Sequence, residues 1–120
     1  MKCFDTYPLI EIAAGNQKFV GLLNEEIIIT DITLAEFYYV MLQKYDEAVA
    51  DVWYKKFSQY SQNVSREVLV KAVTFRYNNK KKNLSFFDAV GYIFAKENGY
   101  LFVTGDKEFE EIEGVEFVKK

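Results

Sequence analysis

The 120-residue chain has no histidine, one cysteine, one proline and one tryptophan. Without histidine, the common zinc sites and the Ser-His and Cys-His nucleophilic arrangements have no basis. With Cys3 alone, no internal disulfide can form, and the residue reads as a small hydrophobe buried in a first strand. Acid–base or metal chemistry therefore falls to carboxylates, lysines, tyrosines and hydroxyls. Long apolar runs are also missing. The opening MKCFDTYPLIEIAAGN meets an acid too early for a signal peptide, and no stretch reaches the length needed to span a bilayer, so no membrane association and a cytoplasmic location are expected. Neither GxGxxG nor GxxxxGK[ST] occurs, which removes the usual phosphate-cradling loops.

Half of the residues are hydrophobic, enough to bury one core, and no linker or repeat divides the chain, so a single domain over residues 1–120 is expected. The charge is unevenly spread. Within residues 55–82 eight cations face only Glu67, a net of +7, which leaves −10 for the remainder of a chain whose total is −3. Such a basic segment suits a polyanion or a solvated helix surface, and the acidic remainder suits a metal. The aromatic density, Trp53 and the Tyr38-Tyr39 pair included, reads as core or subunit contact rather than as a base-stacking platform.

Periodicity predicts short strands alternating with helices. Lys2 to Phe4 reads as a buried strand, followed by a helix through Leu9, Ile12 and Ala13 that stops at Gly15-Asn16. Phe19 to Leu23 reads as a short helix and Ile27 to Ile29 as a strand covered on both sides. A helix capped by Asp31 or Thr33 then runs to about Tyr45, and one capped by Asp46 runs to about Tyr60 with Val49, Val52, Trp53 and Phe57 on one side. Ser65 caps a helix in which Val68, Leu69, Ala72, Val73 and Phe75 pack, and Asn78 to Asn83 is a polar break. Next come a helix ending at Asn98-Gly99, a strand from Tyr100 to Val103, a short turn at Phe109 to Ile112 and a last strand from Val115 to Val118. Strands without polar alternation, separated by helices, imply an α/β fold with three α/β/α layers and a central parallel sheet, whose ligands gather beyond the carboxyl ends of the strands.

Four acids stand apart. Asp5 and Asp106 follow strand ends, while Glu36 and Asp88 lie inside apolar helix segments. A buried unpaired carboxylate costs several kcal/mol or takes up a proton, and four close together would be hard to tolerate without a divalent cation. Mg²⁺ or Mn²⁺ prefers such oxygen donors and assists phosphodiester hydrolysis. Each acid also has a structural alternative. Ser85-Phe86-Phe87-Asp88 fits a capping box, Asp5 and Asp106 fit helix caps, and Glu36 fits a pair with a lysine.

FDTYPLIEI at the start, TLAEF around Glu36, LSFFDAVGYIFAKENGYLFVTGD, and DKEF with the terminal EGVEFV together resemble a PIN-domain nuclease, and within that family the toxin ribonucleases of VapBC-type toxin–antitoxin pairs. The resemblance implies that Asp5, Glu36, Asp88 and Asp106 are catalytic and bind Mg²⁺ or Mn²⁺. It casts Thr104 as the hydroxyl that accompanies the last acid, and Thr6 as an outer support at most. It implies a ribonuclease acting on RNA, a homodimer, and a cognate antitoxin that covers the acidic site. Arg66, Lys71, Arg76, Lys80, Lys81 and Lys82 would supply phosphate contacts. An RNA-processing nuclease outside toxin–antitoxin systems, or a non-cleaving RNA- or protein-binding module, are the alternatives. The chain departs from the family at Tyr7, where a small polar residue is usual, and at Pro8.

Overall fold

Strand residues that alternate between two apolar faces decide how the helices are shared out. In the computed structural model, which describes residues 1–119, the strands are β1 (Lys2–Phe4), β2 (Ile27–Thr30), β3 (Ser61–Gln62), β4 (Leu101–Thr104) and β5 (Val115–Phe117). They form one parallel sheet in the order β3-β2-β1-β4-β5, with Cys3 opposite Ile28 on one side and Phe102 on the other. Cys3, Ile28 and Phe102 point to one face. Phe4, Ile27, Ile29 and Val103 point to the other.

The helices are α1 (Thr6–Ala13), α2 (Gln17–Val20), α3 (Asp31–Lys44), α4 (Glu47–Ser58), α5 (Arg66–Asn78) and α6 (Phe86–Glu97). The face of Phe4 and Val103 is covered by Leu9 and Ile12 of α1, Phe37 and Met41 of α3, and Phe57 of α4. The face of Cys3 and Phe102 is covered by Val68 and Ala72 of α5 and by Val90 and Ile93 of α6. This is the expected three-layer α/β/α arrangement. Helix α6 is buried continuously from Ala89 to Ala95 and comes close to the sheet at Gly91, where a Cβ would lie 2.8 Å from Phe102 Cε1. It stops at Gly99, whose φ of +72° lies in the left-handed region that glycine tolerates.

Three details differ from the sequence expectations. The cap of α3 is Thr30, not Asp31 or Thr33: its hydroxyl accepts from Thr33 N at 3.0 Å. Strand β2 extends to Thr30, so the extended residue that caps is one earlier, and Asp31 already sits in the first turn, where its charge favours the helix N-terminus. Strand β3 was not foreseen, because two polar residues on a sheet edge carry no hydrophobic signal; Ser61 and Gln62 pair with Ile29 and Thr30. Finally, Val52 and Val73 are 52% and 56% exposed, since the inward stripes of α4 and α5 run through Ala50 and Phe57 and through Val68 and Ala72.

Candidate active site

Every strand of a parallel sheet delivers its carboxyl end to the same edge, and the four acids gather there. Asp5 follows β1 and caps α1, its Oδ1 accepting from Thr6 N at 2.7 Å. Its Oδ2 accepts from the Thr104 hydroxyl, also at 2.7 Å, at the end of β4. Glu36 lies in the second turn of α3 and accepts from the Thr6 hydroxyl. Asp88 belongs to the first turn of α6, held there by the Ser85 cap, whose hydroxyl accepts from Asp88 N at 3.1 Å.

Oxygens of Asp5, Glu36 and Asp88 lie within 4.8 Å of one another. Asp106 is outside that trio but lines the same cleft and stands beside Asp88. It also caps the 3-10 turn Lys107–Phe109, accepting from Glu108 N at 3.0 Å. Among the described residues no lysine or arginine forms an ion pair with any of the four. Burial therefore dominates the titration of Asp5, Glu36 and Asp88. It raises Asp5, only 3% exposed, well above the usual carboxylate range, and the charge of Asp88 raises it further. Burial likewise raises Glu36 and Asp88, against the lowering effect of hydrogen bonds from Thr6 to the first and from Asp5 and Ser85 to the second.

One Asp5 carboxylate both caps a helix and enters the cluster. Thr104 touches both the first acid and the last: its hydroxyl donates to Asp5 Oδ2 and accepts from Asp106 N at 3.0 Å. Thr6 supports Glu36 from behind. The cleft measures about 610 Å³, with Tyr7, Ile10, Val40, Asn83, Lys107 and Glu108 among its walls. Tyr7 explains Gly105: a Cβ there would lie 2.2 Å from Tyr7 Cε1, so the ring needs a glycine in the turn that carries Asp106. The sequence reading missed Lys107 and Asn83 as cleft residues, although Lys107 directly follows the last acid.

The cationic residues are scattered. Arg66 opens α5 and is exposed, Lys71 pairs with Glu97, and Arg76 Nε donates to Leu84 O at 2.9 Å. Of residues 80–82, Lys80 sits 5.0 Å from the centre of the Tyr77 ring, Lys81 is exposed, and Lys82 Nζ reaches Glu108 O at 3.4 Å. This loop adjoins the cleft, since Lys82 reaches Glu108 and both Glu108 and Asn83 line it.

Three hard carboxylate oxygens converging on one point are a donor set suited to Mg²⁺ or Mn²⁺. No described helix is long and apolar enough to cross a membrane.

The family model for the PIN domain matches residues 2–115. No curated protein sequence matches the chain. Among solved structures, a toxin–antitoxin complex from Klebsiella pneumoniae is similar at 22% identity, covering 100% of both chains with a TM-score of 0.78. VapC20 of Mycobacterium tuberculosis, described as a toxin that cleaves the sarcin–ricin loop, is similar at 14% identity over 100% of this chain and 98% of its own, TM-score 0.84. VapBC2 of Rickettsia felis, solved with a DNA fragment from its promoter, is similar at 16% identity over 98% of this chain and 97% of the other, TM-score 0.75.

Proposed function

Since the chain belongs to the PIN-domain family, we propose that it is a Mg²⁺- or Mn²⁺-dependent endoribonuclease, the toxin of a toxin–antitoxin pair. The observation that carries this reading is the convergence of Asp5, Glu36 and Asp88, with Asp106 beside them, in an open cleft where, among the described residues, no lysine or arginine pairs with the carboxylates. Asp5, Glu36 and Asp88 would hold the metal, with Asp106 adding a carboxylate at the mouth. A bound divalent ion supplies Lewis-acid stabilisation of phosphoryl oxygens and a nucleophilic water at neutral pH.

The chain's own residues orient the site. Thr104 fixes the rotation of the Asp5 carboxylate, Thr6 that of Glu36, and Ser85 the first turn that carries Asp88. A raised proton affinity at Asp5 and Asp88 means that metal binding displaces protons, so affinity for the ion should rise with pH. The names of the similar structures, two of them toxin–antitoxin complexes, support an antitoxin partner. A homodimer is part of the same reading, and the exposed stripe of Val70, Val73 and Tyr77 along α5 is an apolar face available to it.

The reading is tested by incubating purified protein with a mixed pool of structured and single-stranded RNAs, with Mg²⁺, with Mn²⁺ and with EDTA. Cleavage that requires the metal is the expected result. The absence of both cleavage and a metal-induced rise in melting temperature would remove the metal-site reading and leave a binding module.

Phosphate binding by the loop beside the cleft gives a separate expectation. Replacing Lys80, Lys81 and Lys82 together with alanine should weaken RNA binding and flatten its dependence on salt. The log–log slope should fall by roughly 0.7 for each phosphate of a single strand that a lysine no longer neutralises. Binding measured by anisotropy from low to physiological salt decides it. An unchanged slope makes the loop solvated surface.

A further inference from the structure

Beside the acids the surface changes character. Helix α3 lines the cleft with Glu36 and Val40, and the same two residues, with Ala35 and Tyr39, line an adjoining hollow of about 520 Å³ whose remaining wall is Phe87. Cleft and hollow thus adjoin along Glu36 and Val40, the first acidic and the second mostly apolar. Glu36 is the only charged residue among the hollow's described walls.

Two rings stand in it that the core does not use. Tyr39 is 60% exposed and Phe87 38% exposed, and Phe87 immediately precedes Asp88. Both have neighbours that restrain them. The Tyr39 hydroxyl accepts from Gln43 Nε2 at 3.1 Å, and Phe87 meets the partly buried Phe86 edge-on, with ring centres 6.4 Å apart. Aromatic rings left in water at the edge of a phosphate site are poor helix surface and good stacking partners.

We propose, resting on the nuclease reading above, that the Tyr39–Phe87 hollow is a nucleobase subsite, which takes the unpaired base of a nucleotide adjoining the phosphate held at the acids. A phosphate at Asp5, Glu36 and Asp88 places its own nucleotides at the ends of the cleft, and the hollow is the apolar continuation of that cleft past Glu36. An uncharged wall with aromatic rings suits the π-face common to all bases, so the subsite reads unpaired against paired rather than one base against another. A duplex keeps its bases stacked inside and has none to insert.

The test is binding of a single-stranded RNA decamer carrying 2-aminopurine, with Ca²⁺ in place of Mg²⁺, to the parent protein and to Tyr39→Ala, Phe87→Ala, Tyr39→Phe and Phe87→Tyr. The melting temperature with and without metal and the sedimentation of each variant are recorded alongside. On binding the parent, 2-aminopurine fluorescence should be quenched. The alanine variants should weaken the complex by roughly 5- to 100-fold, the range for removal of one stacking partner, and abolish the quenching. The aromatic replacements should keep both, and the metal-induced rise in melting temperature should persist throughout, because neither ring belongs to the acid site.

Alanine variants that bind the decamer as the parent does would overturn the proposal. So would alanine variants that turn a dimer into a monomer, which would make the hollow a subunit contact. A parent protein that is stabilised by metal yet binds no single strand would overturn the subsite alone, whereas one that neither gains melting temperature with metal nor binds RNA would fail the nuclease reading with it.

Discussion

Asp88→Asn should abolish metal-dependent RNA cleavage and, in the same protein, raise the melting temperature measured without metal at neutral pH. The first effect follows from removing a carboxylate that converges with Asp5 and Glu36. Residues that only orient a metal ligand cost about 10- to 100-fold when replaced, and a ligand itself should cost more. The second follows from electrostatics. Burial raises the proton affinity of both Asp5 and Asp88, and the charge of Asp88 raises Asp5 further while that of Asp106 raises Asp88. An asparagine keeps an acceptor for Ser85, gains an amide donor toward Asp5 and removes one charge. Relief of strain at a functional site commonly returns about 0.5–2 kcal/mol, or roughly 4 °C of melting temperature per kcal/mol in a domain of this size.

The pH dependence has a definite sign. Acids whose folded-state pKa is raised hold protons that the unfolded chain has released, so the metal-free parent should lose stability as pH rises from mildly acidic toward neutral. Asp88→Asn should flatten that slope. Metal should reverse the order of stability at neutral pH, stabilising the parent through binding and leaving the variant nearly unmoved. Scanning calorimetry of both proteins with EDTA and with Mg²⁺ is sufficient. A variant less stable than the metal-free parent would mean that the carboxylate serves the first turn of α6 as a capping group.

The acids were legible because of their neighbours. Asp88 is flanked by Phe86, Phe87, Ala89 and Val90, and Glu36 by Leu34, Ala35 and Phe37, so each carboxylate announces a place where an apolar helix side must meet something polar. Which hydroxyl serves which acid was not legible. Thr104 lies 99 positions from Asp5 in the chain, and only the pairing of β1 with β4 brings them together. Local ambiguity had a different cause. Thr30, Asp31 and Thr33 are all capping residue types, and the choice among them depended on how far β2 extends, which is settled by pairing with β3. That strand, in turn, has no apolar pattern to betray it. The adjoining hollow was invisible for a related reason: Tyr39 and Phe87 belong to different helices, and the α3–α6 packing that opposes them is a tertiary fact.

Thr104→Val is the most demanding test of the support beneath the acids. The residue is fully buried, and valine matches its shape while removing the hydroxyl. Two groups then lose a hydrogen bond together: Asp5 Oδ2, which accepts from that hydroxyl, and Asp106 N, which donates to it. At about 1–3 kcal/mol for each unsatisfied buried group, the fold should lose roughly 2–4 kcal/mol in urea unfolding, with some recovery if water reaches Asp106. Affinity for Mg²⁺ should fall by about 10- to 100-fold, because the Asp5 carboxylate is no longer held in rotation. Thr104→Ser separates the causes. It keeps the hydroxyl and deletes one methyl group, so it should cost about 1 kcal/mol of stability and leave metal affinity within a few-fold of the parent. If valine and serine weaken metal binding equally, the methyl packing of Thr104 sets the position of Asp5. If valine alone does so, the hydroxyl is what joins the tips of β1 and β4 into one metal-binding edge.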